Sequence, residues 1–172
     1  PNSNFRGFSG LVASGSINVG DKIRIHPGGQ ESSIESIVTW DGVLSQAEEG
    51  QSVTITLNDK IDVSRGDVIA TMQDPCGEAD QFQSRILWMS NDPMIPGRQY
   101  ILKSNTQSAT VTLGKLKYRI DVNTMNPIPA NKLILNERGV CNISLDKRIA
   151  FDKYEQNQTM GGFIIIDKLS NN

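Results

Sequence analysis

The chain has 172 residues, 37% of them hydrophobic, and a formal net charge of −2, which suits one large or two small packed cores and excludes a disordered polyelectrolyte. No apolar run approaches the roughly 18 residues that cross a bilayer, the longest strongly apolar stretch being residues 163–166. Pro1 opens onto Asn, Ser and Arg rather than an apolar block, so no secretory leader is legible, and Cys76 and Cys141 are too few and too far apart for a disulfide framework or a zinc knuckle.

Along the chain, strand signals recur between Gly, Pro, Asn and Asp boundaries. Residues 8–13 lead to Gly15, and residues 22–26 alternate Ile23 and Ile25 against Lys22, Arg24 and His26. A turn at Gly28-Gly29 precedes a strand at 33–39, and residues 43–49 offer a single helical turn before Gly50. Val53, Ile55 and Leu57 alternate cleanly, and 67–72 closes a set of short strands that reads as a small barrel. Asp74-Pro75-Cys76-Gly77-Glu78-Ala79 should break any strand, which places a boundary between modules 1–76 and 77–172. Beyond it, 85–89, 99–103 and 106–113 are strand candidates, followed by Leu116, Tyr118, Ile120 and Val122 in strict alternation. Residues 132–135, then Cys141, Ile143 and Leu145, then 162–167 complete the second set. The expectation is an all-β chain of two consecutive small β-barrels.

Local devices account for most residues that invite a functional reading. Val19-Gly20-Asp21 and Arg65-Gly66-Asp67 read as turns in which Gly supplies a permissive backbone and Asp bonds locally. His26, the single histidine, reads as an exposed strand end with no partner set for a metal or a triad. Cys141 should be a small core residue and Cys76 an exposed linker thiol, both at home in a reducing cytoplasm. Glu48-Glu49 and Asp59/Asp62 read as solvated loop carboxylates, and the sequons at Asn142 and Asn157 as incidental. Trp40 and Trp88 each admit two roles, interface anchor or barrel filler. Residues 1–76 hold five Lys/Arg against ten Asp/Glu and residues 77–172 twelve against nine, too thin a basic footprint for nucleic-acid binding. Catalytic, cofactor and metal residues are expected to be absent: there is no Gly-x-x-x-x-Gly-Lys-Ser/Thr phosphate loop and no Asn-Lys-x-Asp segment.

Gly7-x-x-Gly10-x-Val12-x-x-Gly15 with Val19-Gly20-Asp21, and Ala47-x-x-Gly50-x-x-Val53 with Arg65-Gly66-Asp67-Val68, are similar to the barrel that follows the GTPase domain in translation GTPases. Within that superfamily the chain resembles the GTP-binding large subunits of bacterial ATP sulfurylase (sulfate adenylyltransferase). That resemblance is carried by residues 36–42, by Leu87-Trp88-Met89-Ser90 with Pro93, Pro96-Gly97 and Tyr100, by Tyr118-Arg119-Ile120-Asp121-Val122-Asn123-Thr124, by Leu135-Asn136-Glu137-Arg138-Gly139, and by residues 154–167. Met160-Gly161-Gly162 departs from the family's more usual Thr-Gly-Ala. The resemblance implies a role in sulfate assimilation, with GTP and Mg in an upstream domain of the same parent chain and adenylyl transfer on a separate small catalytic subunit. Read this way, with Pro1 in place of Met, the chain is expected to be an excised piece, inactive alone, that scaffolds, senses the switch state and docks the catalytic subunit. The polar run Asn157, Gln158, Thr159 and Met160 is the expected partner contact. A parent fused to an adenylylsulfate kinase stays open, as do the tRNA-binding barrels of a translation elongation or release GTPase.

Overall fold

In the computed structural model, which describes residues 5–168, the chain divides into two compact β units; the reading at Pro1 lies outside the described residues. One unit runs to residue 78 and includes residues 150–162; the other comprises 79–149 and continues from 163. The sequence reading ends the first barrel at residue 76 and leaves 150–162 with the second.

The first unit holds β1 (Phe8–Leu11), β2 (Ser16–Asn18), β3 (Lys22–His26), β4 (Glu31–Thr39), β5 (Gly42–Leu44), β6 (Gln46–Glu48), β7 (Ser52–Leu57) and β8 (Val68–Thr71). Its main sheet runs β1-β7-β4-β3-β8 with β5 beside β4, and β2 pairs with β6. Ile23 and Ile25 turn inward with Ile34, Ile37, Ala47 and Ile55 to form the core. The alternation in β4 slips because the register against β7 shifts between Ile34 and Ser36, a bulge that sends both Ile34 and Ile37 to the same face.

The second unit is built on β9 (Gly77–Leu87), β10 (Gln99–Ser104), β11 (Gln107–Ile120), β12 (Pro127–Ile128), β13 (Arg138–Phe151) and β14 (Ile164–Asp167). The sheet order is β14-β10-β11-β13-β9, with β12 beside β11. Its core gathers Trp88, Met94, Tyr100, Leu102, Val111, Leu113, Leu133, Cys141 and Ile143. The rings of Trp88 and Tyr100 meet edge to face with centroids 5.8 Å apart.

Several expectations change in the structure. The helical turn expected at 43–49 is β5 and β6, because Gly42 at φ 133° closes a hairpin that pairs Val43 with Val38. The helix is instead α1 (Gln158–Gly161), a single turn too short to show a period. Residues 74–76 interrupt the strands as expected, but 77–79 already belong to β9: it starts at Gly77, where a Cβ would come within 3.2 Å of the Phe151 carbonyl oxygen, so this glycine permits close approach rather than interrupting a strand. The strands expected at 106–113 and around Leu116 are one, β11, whose register shifts between Leu113 and Leu116 at Gly114. Residues 132–135 form no strand, because Asn136 takes the left-handed conformation, φ 65°.

Candidate functional site

The segment 152–162 builds a capped turn. Asn157, in extended conformation, accepts the Met160 backbone N–H through its side chain at 3.1 Å and donates to the Asp152 carboxylate. A Cβ on Gly161 would lie 2.5 Å from the Tyr154 backbone, so the turn can be this tight only with glycine. Of the expected contact residues, Asn157 and Met160 are buried and Gln158 and Thr159 exposed. The first two hold the turn; the second two are what it presents.

A second group joins segments that are far apart in sequence. The Trp88 N–H donates to the Glu137 carbonyl at 2.9 Å and the Asn136 N–H to the Trp88 carbonyl at 2.8 Å. Two residues thus oppose one, and Asn136 occupies the position a glycine fills in a G1 bulge. The Glu137 carboxylate accepts the Ile134 N–H through Oε2 and pairs with the Arg119 guanidinium through Oε1. Gly139 belongs here because a Cβ would press to 2.8 Å from both Leu116 and Leu133. Two residues past Arg119, the Asp121 carboxylate accepts the N–H groups of Asn123 and Thr124. Those two bonds, more than Arg119, hold its pKa below the ordinary carboxylate value. The Trp88 indole N–H donates to the Asp92 carbonyl at 2.6 Å, and the Met94 N–H to the Leu133 carbonyl. The Leu87–Ser90, Tyr118–Thr124 and Leu135–Gly139 motifs are therefore one laced framework. Sequence spacing gave no sign of it, since the pairing of residue 88 with 136 and of 119 with 137 is set by the sheet.

Two readings in the first unit are corrected. His26 is not an exposed strand end but buried, 4% exposed, with Nδ1 2.5 Å from a Glu78 carboxylate oxygen; the partner lies 52 residues away, where local alternation cannot reveal it. Cys76 is half-buried rather than exposed, and burial, seconded by the Asp152 carboxylate, pushes its thiol up to about 11. Cys141 is buried as expected, its thiol likewise pushed up by burial to about 11. The two tryptophans part company: Trp88 fills the core and Trp40 is fully exposed. Trp40 borders an open concavity of about 510 Å³ lined by Ser9, Val38, Ser52 and Thr54 without an ionisable group. Both Gly-Asp devices act as turns: Asp21 accepts the Asn18 N–H and Asp67 the Ser64 N–H. Among the described residues no group of three or more His, Cys, Asp or Glu is placed to hold a metal ion.

The description GTP-eEF1A C-terminal domain-like matches residues 81–172. Sulfate adenylyltransferase subunit 1 of Aliarcobacter butzleri is 47% identical across 100% of this chain, which covers 37% of that protein. The bifunctional enzyme NodQ of Rhizobium sp. is 43% identical across 99% of the chain, which spans 27% of it. Subunit 1 of Francisella tularensis is 42% identical, with 36% of its length covered. The chain thus spans about a third of these relatives. Among solved structures, sup35 complexed with GDP superposes with a TM-score of 0.84 at 17% identity, covering 96% of this chain and 43% of that one. That likeness establishes the fold, two β-barrels of the translation-factor type.

Proposed function

The chain belongs to the GTP-eEF1A C-terminal domain-like family, and from that premise we propose that it is the non-catalytic barrel region of the GTP-binding subunit of a sulfate adenylyltransferase. The observation that carries this reading is 47% identity with a subunit 1 across the full chain, far beyond the 17% shared with the translation factor of the same fold. The parent subunit couples GTP hydrolysis to adenylylsulfate formation from ATP and sulfate, in the cytoplasm, as part of sulfate assimilation. As the resemblance to those subunits implies, GTP and Mg belong to an upstream domain of the parent; this sequence itself carries no phosphate loop. Adenylyl transfer belongs to a small catalytic subunit. The barrels scaffold the assembly, sense the switch state of the GTPase domain and hold the catalytic subunit, with Gln158 and Thr159 facing outward and Asn157 and Met160 fixing their turn. No helix of the described residues is long and apolar enough to cross a membrane.

The test is replacement of the corresponding barrels of the Aliarcobacter butzleri subunit 1 by this chain. GTP-stimulated adenylylsulfate synthesis should survive when the catalytic subunit is added; loss of stimulation in a folded chimera contradicts the assignment. A second reading, tRNA-binding barrels, draws on the sup35 likeness. It requires tRNA affinity that falls steeply with salt, against which stand five Lys/Arg facing ten Asp/Glu in residues 1–76.

A further inference from the structure

The framework that ties Trp88 to Glu137 carries on its outside an apolar surface that the described residues leave open to solvent. Leu87, Met89, Ile95, Ile134 and Leu135 are 48%, 75%, 50%, 47% and 42% exposed. Singly exposed aliphatics are ordinary on a protein surface, but these flank residues that are hydrogen-bonded to one another. Leu87 and Met89 flank Trp88, Leu135 precedes its partner Asn136, and Ile95 and Ile134 follow Met94 and Leu133, which bond each other. A grouped, exposed apolar set of this kind marks an interaction site.

We propose that this face of the second unit docks an apolar segment of the catalytic partner subunit, flanked there by carboxylates. The proposal rests on the reading of the chain as a sulfate adenylyltransferase barrel region and adds the surface and the chemistry of its occupant. The charge at the rim selects the partner. Arg85, Lys132 and Arg138 are exposed, each within three residues of one of the aliphatics, and none has a side-chain partner among the described residues. The nearby Glu137 carboxylate is consumed by Arg119 and Ile134, leaving Asp92 as the acidic group between Met89 and Ile95. The rim therefore carries a cationic excess that complements acidic residues beside an apolar anchor. Aliphatic side chains give bases no ring to stack on, which disfavours nucleic acid, and Asp92 would face the headgroups of an anionic lipid surface. Because backbone bonds, the Arg119–Glu137 pair and the Trp88 indole bond already hold the backing, docking orders little that is not ordered beforehand.

The experiment is calorimetric titration of the purified small catalytic subunit into this chain and its variants. Met89→Asp should weaken binding roughly tenfold and the pair Leu87→Asp/Met89→Asp roughly a hundredfold, with unchanged circular dichroism because both side chains are exposed. Arg85→Glu should weaken binding several-fold at low salt, with the difference gone at about 0.5 M. Trp40→Ala, in the other unit, should bind as the unaltered chain does. Undiminished binding by the folded double variant overturns this face and leaves the assignment of function standing. No binding by the unaltered chain overturns both. Displacement of the catalytic subunit by tRNA or by phosphatidylcholine–phosphatidylserine vesicles, with the same variants losing that displacement, gives the face to another occupant and overturns the proposal.

Discussion

Trp40 and Met89 both stand in solvent, but the ground beneath them differs. Trp40 sits at the tip of the hairpin joining β4 to β5, beside an open sheet concavity with hydroxyls such as Ser9 and Thr54, which bond each other at 2.8 Å. Among the described residues no ion pair tethers the hairpin tip. Met89 stands on a bulge fixed by two backbone bonds, an indole bond and the Arg119–Glu137 pair. A large exposed aromatic draws the eye in a sequence, yet the aliphatic surface with a rigid backing has the physical marks of an interface. Sequence reading left both tryptophans between interface anchor and barrel filler and placed the partner contact on residues 157–160; rigidity of the backing is invisible at that level.

The comparison can be broken most directly at Glu137. Glu137→Ala would leave the Arg119 guanidinium and the Ile134 N–H without their acceptor, at a cost of about 2–3 kcal/mol after allowance for partial exposure, whereas Trp40→Ala should stay within about 0.5 kcal/mol. Equal losses in chemical denaturation would show that the framework is no more rigid than the hairpin.

A second contrast lies within the capped turn. Asn157→Ala removes the side-chain acceptor of the Met160 N–H and should cost about 1 kcal/mol, while Gln158→Ala, on the exposed side, should leave the melting temperature unchanged and affect only partner binding. If Asn157→Ala melts like the unaltered chain, the cap contributes nothing and the buried half of the turn has been misjudged.

A smaller effect comes from Asp121. Its folded pKa is depressed, so the unfolded carboxylate binds its proton more readily than the folded one. The stabilisation is therefore present above the ordinary carboxylate pKa of about 3.9 and is lost as pH falls through the lower folded value. Asp121→Asn keeps the oxygen acceptor and should flatten the stability profile on the acid side of pH 4; an unchanged profile would contradict the assignment.

The smallest difference concerns the cysteines, one in each unit by position. Burial pushes both Cys76 and Cys141 to about 11, so both remain thiols at neutral pH and should alkylate slowly with iodoacetamide at pH 7.5. Fast labelling of Cys76 would restore the exposed linker that its Pro75 and Gly77 neighbours suggested.

Much of the fold is legible because β-strands announce themselves locally. Ile23 with Ile25, Val53 with Ile55, and Ile143 with Cys141 alternate as half-buried strands must, and turn residues separate them. What fails is whatever depends on a distant partner. Glu78 pairs with His26 across 52 residues, and Phe151 explains Gly77. The bulges at Glu35 and Gly114 break a period that is otherwise regular. The weak strand at 77–84 is missed because Glu78, Asp80, Gln81 and Gln83 give it no apolar face. For the site, the motifs on 87–90, 118–124 and 135–139 are visible as separate words. Their convergence on Trp88 and Glu137 requires the sheet order, and the exposed aliphatics gain meaning only when that order brings them together.

The decisive measurement is a pair of calorimetric titrations into the unaltered chain, first with the small catalytic subunit and then with GTP and Mg. Saturable binding of the subunit and no heat from the nucleotide is the expected result. Nucleotide binding by the chain alone, or silence toward the subunit, would contradict the view that these barrels hold a partner and leave the chemistry to it.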